Sequence, residues 1–398
     1  MFTLHKGVLN RKTKPLLSFG VVALGLTQAP MANAVPIDKL TVPDGYRVSV
    51  AAEVNNPRQL AVASPYHLFV GSRHAGVVTA LLDTNQDGTF DRRFTLARNL
   101  TMPSGIALWQ NDLYIAATGT IYRVKNATQA HQQNTPPVLE VVYRDLPNAR
   151  HHGWKYTGIQ QQADGSLSFV TNVGAPCNLC FSSDERFASL MRFSLNPDSG
   201  ELSQPKVIAH GVRNSVGFDW HPTTGNLWFT DNGRDMMGDD IPDDELNELK
   251  KDGQHFGYPF VHGKGVNEPS ADIQGYRSQV SQTFTPPSHG FGAHRAPLGM
   301  HFYQGDRFPD AAQHPLFVAL HGSWNRSSKV GYKVVKLVPN GSENGQVRWQ
   351  QSDFVTGWLE GENAWGRPAD ISHDGQGGLL IADDYGGVIY RVSYEGKK

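Results

Sequence analysis

Cysteine is almost missing from this chain: Cys177 and Cys180 are the only two among 398 residues. A disulfide-dense scaffold is thereby excluded, and zinc would need two further ligands at a spacing the sequence does not offer. Neither sign of charge is in excess. Lys and Arg total 36, Asp and Glu 37, and the net charge of -1 gives no electrostatic ground for nucleic acid or an acidic membrane surface as partner. Long apolar runs are rare as well. The one from Leu16 to Leu26 is too short to cross a bilayer, so no integral membrane span is expected. Helical periodicity is also scarce, and its best stretch, Asp244 to Lys251, is short.

The short apolar run follows Lys6, Arg11, Lys12 and Lys14 and precedes Ala32-Asn33-Ala34. Positive residues, an apolar stretch and a small-residue cleavage pattern together read as a secretory signal peptide over residues 1–34. No Cys follows the proposed cut, which argues against a lipoprotein. The mature chain, 35–398, is then expected to fold as one domain in the periplasm or outside the cell. Gly (41) and Pro (24) are abundant and punctuate short runs rich in Val, Ile, Leu, Phe and Tyr, a pattern of strands and turns. An apolar strand ending in small or acidic residues recurs at His67–Gly71, Asp112–Ala117, Ser166–Val170, Asn226–Asp231, Pro315–Ala319 and Gly378–Asp384. Partner strands follow closely at Gly119–Val124 and Gly387–Val392. Six such units point to an all-β, six-bladed β-propeller, with a pair of β-sandwiches as the alternative.

Four loop segments carry polar groups next to strand ends. In Asn148-Ala-Arg-His-His-Gly-Trp-Lys155, a His beside a cationic Lys should have its pKa held down, as suits a general base. In Gly211-Val-Arg-Asn-Ser-Val-Gly217, Arg213 and Asn214 offer donors of fixed geometry to a carbonyl or carboxylate. Thr230-Asp-Asn-Gly-Arg-Asp235, Asp239-Asp240, Asp243-Asp244-Glu245 and Asn247 form an oxygen-rich stretch that suits calcium or simply a solvated acidic loop. His294-Arg-Ala-Pro, His321-Gly-Ser-Trp-Asn-Arg326 and Trp365-Gly-Arg-Pro368 could converge on an anionic ligand, with Trp stacking on a flat one.

In order and spacing, these segments resemble the pyrroloquinoline-quinone-dependent sugar dehydrogenases of the glucose/sorbosone dehydrogenase type. The resemblance runs from about Asp44 to Val392. Its best-marked parts are Arg213-Asn214-x-x-Gly217, Asp231-Asn-Gly-Arg234 and Trp365-Gly-Arg-Pro368. Gly-Ala-Pro-Cys-Asn-Leu-Cys180 and His-Gly-Ser-Trp-Asn-Arg326 look closer to the sorbosone dehydrogenase-like branch. The resemblance implies oxidation of an aldose or sugar aldehyde by hydride transfer to pyrroloquinoline quinone (PQQ), with Ca2+ as second cofactor. It implies His152 as general base, with His151 as rival, and Arg213 and Asn214 donating to the quinone oxygens. It further implies calcium on the backbone carbonyls of Gly233 and Arg234. Arg367, with His294 and His321 or Arg326, would pair with the cofactor carboxylates. Ser215 and Val216 stand where the glucose enzymes carry Pro and Gln, and no counterpart of a cofactor-binding Gln is found near Pro103-Ser104-Gly105.

Cys177-Asn-Leu-Cys180-Phe181 lacks the His of a haem c site, so electrons would leave to an external acceptor such as a cytochrome, quinone or dye. In an exported chain the two Cys are expected to form a local disulfide whose small loop contributes below roughly 3 kcal/mol. Asp83-Thr-Asn-Gln-Asp-Gly-Thr-Phe-Asp91 begins like a calcium loop but has Phe94 at the twelfth position, leaving a structural calcium or a polar hairpin turn. Two other functions fit a propeller: a calcium-dependent lactonase or esterase using Asp231 and Asn232, and a non-catalytic binding scaffold.

Overall fold

Runs such as Leu113-Tyr-Ile-Ala116 are buried at every position, so both faces of the strand are covered rather than one. That requirement selects stacked sheets around a ring over two faced sheets. The computed structural model describes residues 35–133, 136–162 and 164–396, and they form six blades of four antiparallel strands, the third extended by the short parallel strand Gln254–His255. The inner strands are Pro57–Ser64, Gly105–Trp109, Thr157–Gln161, Phe218–Trp220, Pro297–Phe302 and Pro368–His373. The second strands are His67–Ser72, Asp112–Ala116, Leu167–Val173, Leu227–Asp231, Leu316–Leu320 and Leu379–Asp383, which are the six recurring units of the sequence. Blades are numbered 1 to 6 in this order. Alternate residues of a second strand serve different cores. Leu113 and Ile115 pack with Phe69 of blade 1, while Tyr114 packs with Phe169 and Phe193 of blade 3.

Ring closure joins the two ends of the chain. Tyr46–Glu53 is the outer strand of blade 6, paired antiparallel with Val388–Tyr394, Tyr46 opposite Tyr394. The Tyr46 ring lies 4.9 Å from Phe308, 5.1 Å from Phe354 and 4.9 Å from Tyr394, pinning this strand against blade 5. At the axis, polar side chains tie the inner strands together. Gln59 donates to Thr157 O (2.6 Å) and accepts from the N–H groups of Ile106 and Thr157. Asp370 accepts from Leu60 N–H and from the Tyr156 hydroxyl. Gly299 allows this approach, because a Cβ there would meet Asp370 Oδ1 at 2.0 Å.

One local expectation changes. The stretch read as most helical lies in the strand Asp243–Leu249, paired with Leu227–Asp231; backbone donors reach its buried carboxylates, so acidic residues there do not require a solvated helix. Asp83–Asp91 is the turn between Val78–Leu82 and Arg92–Ala97, where Asp83 and Asp87 accept from N–H groups within the turn itself. Cys177 and Cys180 are disulfide-bonded. Residues 1–34, read as a signal peptide, lie outside the described residues. Among the described residues no helix is long and apolar enough to cross a membrane. Tyr46→Ala should lower unfolding free energy by about 3 kcal/mol, the low end for aromatic deletion because the ring is only half-buried; urea unfolding measures it.

Candidate functional site

Strand direction decides where chemistry can collect. Within each blade the inner strand starts and the second strand ends at the same face, so their loops share one mouth. Arg58 opens the inner strand of blade 1, Arg213 and Asn214 precede that of blade 4, and Arg367 directly precedes Pro368 of blade 6. Arg73, Asn232 and His321 follow second strands. The enclosed cavity measures about 420 Å3 and is lined by five arginines, Arg58, Arg73, Arg150, Arg213 and Arg367, against two aspartates, Asp235 and Asp244. Such an excess of positive charge favours an anionic occupant.

Buried carboxylates hold the arginine loops. Asp231 closes the second strand of blade 4 and accepts from the backbone N–H groups of Arg213 (2.8 Å) and Asn214 (2.6 Å). Asp383 does the same in blade 6, accepting from Arg367 N–H at 2.8 Å and from Tyr385 and Gly386. Burial raises Asp231 to about 7 and Asp383 to about 6, although these N–H donors oppose the shift.

The side chains are fixed in turn. Arg213 donates through Nε and Nη2 to Asn178 O and Oδ1 (3.0 and 2.7 Å), through Nη2 to Asp235 (2.8 Å) and through Nη1 to Asn232 O (3.0 Å). Of its five N–H donors, one on Nη1 is left for the cavity. Arg58 pairs with Asp384 at 2.8 Å, their side chains 4% and 8% exposed, and His321 meets the other oxygen of Asp384 at 2.7 Å. Burial alone would raise the Asp384 carboxyl, but His321 and Arg58 outweigh it and hold it far below the usual range. Burial lowers His321 to about 4, so a neutral ring donating Nε2–H to the carboxylate describes the pair. Arg73 lies 3.9 Å over the Trp154 ring; its buried Nε and Trp154 Nε1 have no partner among the described residues.

His152 combines burial with a defined tautomer. Its Nδ1 lies 2.9 Å from Ala175 O. A carbonyl only accepts, so Nδ1 carries the hydrogen in the neutral ring and Nε2 keeps its lone pair. Burial first, then Arg213 and His151, holds its pKa well below the usual histidine value. Lys155, expected to be the cause, is not. It is wholly buried, donates to Gly153 O at 3.1 Å and is lowered by that burial to about 7. His151 is exposed with its ring 4.1 Å from that of His152.

Of the residues singled out from sequence, His151, His152, Arg213, Asn214, Gly233, His294, His321 and Arg367 meet in this one cavity. Arg326 does not line it; its guanidinium donates to Asp239 O and Asp240. The Arg234 side chain pairs with Glu268 at 2.9 Å, while the carbonyls of Gly233 and Arg234 accept no hydrogen bond from the described residues. The acidic stretch staples loops: Asp244 accepts from Gly233 and Ala296 N–H, and Glu245 from Gly263 N–H. Among the described residues no cluster of three or more His, Cys, Asp or Glu side chains is arranged for a metal ion. Trp324, 67% exposed, stands at the mouth, whereas Trp365 donates to Gly357 O, away from it.

Sequence reasoning missed Arg58, Arg73, Arg150, Asn178 and Asp384, and it placed Asp235 in an oxygen-rich loop without its role as partner of Arg213. Arg58 was within reach. Aligning the blades places Pro57-Arg58-Gln59 beside Val212-Arg213-Asn214 and Gly366-Arg367-Pro368, each where an inner strand begins.

Residues 40–395 match the model of a family described as TrAA12-like. A protein of Borreliella burgdorferi described as uncharacterised is 33% identical over 366 residues, covering 89% of this chain and 91% of its own length. A pyrroloquinoline quinone-dependent pyranose dehydrogenase of Coprinopsis cinerea is 24% identical over 90% of this chain, which spans only 55% of that enzyme. The holo form of the PQQ domain of pyranose dehydrogenase from Coprinopsis cinerea superposes with a TM-score of 0.69 at 20% identity, covering 89% of this chain and 97% of that domain; the likeness is one of fold.

Asp384→Ala leaves Arg58 and His321 without their shared partner. It should cost about 3–5 kcal/mol in the ligand-free protein, as removal of one member of a buried ion pair does, measured by chemical unfolding.

Proposed function

The chain belongs to the TrAA12-like family, and from that premise we propose that it is an oxidoreductase acting on an aldose or a sugar aldehyde such as sorbosone, with pyrroloquinoline quinone held in the propeller mouth. The observation that carries this reading is the convergence of five arginines on one cavity of about 420 Å3, against Asp235 and Asp244 in its lining and Asp384 paired with Arg58. A flat tricarboxylate answers both the charge and the shape. The unpartnered Arg73 Nε and Trp154 Nε1 and the remaining N–H of Arg213 suit such an occupant, and Arg367 and His321 extend the same surface. Asn214 contributes a side-chain amide without a hydrogen bond, its Oδ1 buried. Arg326 has no part in this reading.

Bound there, the quinone would supply a two-electron acceptor for a hydride equivalent. The chain's own residues supply the rest. His152, neutral and locked by Ala175 O, takes the hydroxyl proton of the sugar on Nε2. Arg213, held by Asn178, Asn232 and Asp235, and the Asn214 amide present donors where negative charge develops. Calcium is proposed on the carbonyls of Gly233 and Arg234, which accept no hydrogen bond from the described residues; carbonyl oxygens suit a hard cation. Electrons then pass to an external acceptor. The N-terminal sequence and the Cys177–Cys180 disulfide support an exported enzyme. The lactonase alternative, built on Asp231 and Asn232, gives Arg58, Arg213 and Arg367 no role; Asp231 accepts from the backbone N–H groups of Arg213 and Asn214 and lies outside the lining of the arginine cavity.

The test is reconstitution of purified protein with calcium and pyrroloquinoline quinone, followed by dye reduction across aldoses and sugar aldehydes. Absence of tight quinone binding would overturn the reading. His152→Ala should lower kcat by about 10²–10⁴-fold with quinone affinity retained, and His151→Ala should leave turnover largely intact. Protonation of His152 removes the base, and its pKa lies below the ordinary 6.5; the acid limb of kcat/KM should therefore fall below pH 6.5. Arg367→Ala should release quinone more readily in equilibrium titration.

A further inference from the structure

Between the second and third strands of blade 3, Leu167–Val173 and Ser189–Leu195, the chain makes a four-residue ring, Cys177-Asn-Leu-Cys180, closed by the disulfide. Its second residue faces the cavity loops. Asn178 Nδ2 donates to Asp235 O at 3.1 Å, and Asn178 Oδ1 accepts from Asp235 N–H at 3.0 Å. The same Oδ1 accepts from Arg213 Nη2 at 2.7 Å, and the Asn178 carbonyl from Arg213 Nε at 3.0 Å. One residue thus meets the Nε–Nη2 edge of the Arg213 guanidinium and both backbone groups of Asp235, the carboxylate partner of that guanidinium at 2.8 Å. Tyr258 braces the ring from behind: its hydroxyl accepts from Cys180 N–H at 3.0 Å and donates to Asn178 O at 3.4 Å.

We propose that Asn178 is a positioning residue for Arg213 and that the Cys177–Cys180 disulfide makes this positioning redox-dependent. A carbonyl and an amide oxygen can serve one guanidinium together only while the Asn178 backbone and side chain keep a single relative orientation. A four-residue disulfide ring imposes that orientation on a loop outside the strand ladders. Reduction by a dithiol breaks the Sγ–Sγ bond, adding two electrons and two protons to give two thiols, while the reagent closes to its own cyclic disulfide. The ring can be reached: Cys180 lines a second cavity of about 330 Å3, bounded also by Phe181, Tyr258 and Phe260. Once opened, the loop retains Asn178 but loses the constraint that aims it.

The proposal rests on the functional reading only for the meaning of Arg213, so the test begins in the apo-protein. The Arg213 Nε–H resonance, assigned by its loss in Arg213→Lys, is followed by 15N NMR. It should be protected in wild type and lost or exchange-broadened in Asn178→Ala, in Cys177→Ser/Cys180→Ser and in dithiothreitol-reduced wild type. Dithiothreitol should change nothing further in the double variant. Asn178→Asp, which keeps an acceptor for Nη2, should retain the resonance. Quinone titration should show about tenfold weaker binding in Asn178→Ala and in reduced wild type. An unchanged resonance and affinity in folded Asn178→Ala would end the positioning role. Reduced wild type with two titratable thiols and an unchanged resonance would end the redox dependence. If Asn178→Ala does not fold, Asn178→Asp and the reduced wild type decide. Failure of wild type to bind quinone would count against the functional reading alone.

Discussion

Two buried carboxylates, Asp231 and Asp383, govern what the propeller mouth can do. They occupy equivalent places at the ends of second strands in blades 4 and 6, and each accepts the backbone N–H of a cavity arginine, Arg213 or Arg367. An arginine on an unanchored loop would lose several rotatable bonds of freedom on meeting a ligand. Here that ordering is done during folding, because the anchor belongs to a strand already buried on both faces. The guanidiniums then need only their own acceptors, Asn178 and Asp235 for one, the carbonyls of His321 and Gly322 for the other. The acidic strand ends of the repeat are therefore part of the site without touching its contents.

The architecture was legible because it rests on short-range chemistry. Apolar runs bounded by Gly and Pro make strands, and six of them at comparable intervals make six blades. Half of the mouth was legible for the same reason, since Arg213, His294 and Arg367 sit in loops adjoining recognisable strands. What stayed hidden depends on which loops meet. Nothing near Arg326 in the chain indicates that Asp239 and Asp240 will engage it. Nothing near His152 shows that Arg213, not Lys155, provides its cationic neighbour. Asp244 to Lys251, the best of the few stretches with helical periodicity, falls largely in the strand Asp243–Leu249, because its carboxylates find backbone donors on other elements, a tertiary property that a local window cannot contain.

Strain and charge are concentrated together around the cavity. His152, His294 and Ala296 hold φ of 48°, 60° and 52°, a left-handed conformation that non-glycine residues adopt only when their surroundings impose it. Gly174 is part of that imposition, as a Cβ there would lie 2.5 Å from His152 Cβ. Unbalanced arginines and left-handed histidines both lower stability, and the inter-blade cores offset them. The division is spatial: apolar layers between blades carry the fold, and the loops at one end carry its liabilities.

Closure of the ring has a consequence for how the protein comes into being. Arg58 and Asp384 are separated by 326 residues, and Tyr46–Glu53 finds its partner strand only in Val388–Tyr394. A growing polypeptide can complete the early blades one by one, but Arg58 has no counter-charge until the last strands are synthesised. Maturation of the mouth is thus postponed to the final, most non-local contact in the chain, the slow step expected of such a topology. An incomplete product lacks one wall of the cavity, so occupancy of the mouth reports that the whole chain has been made and joined.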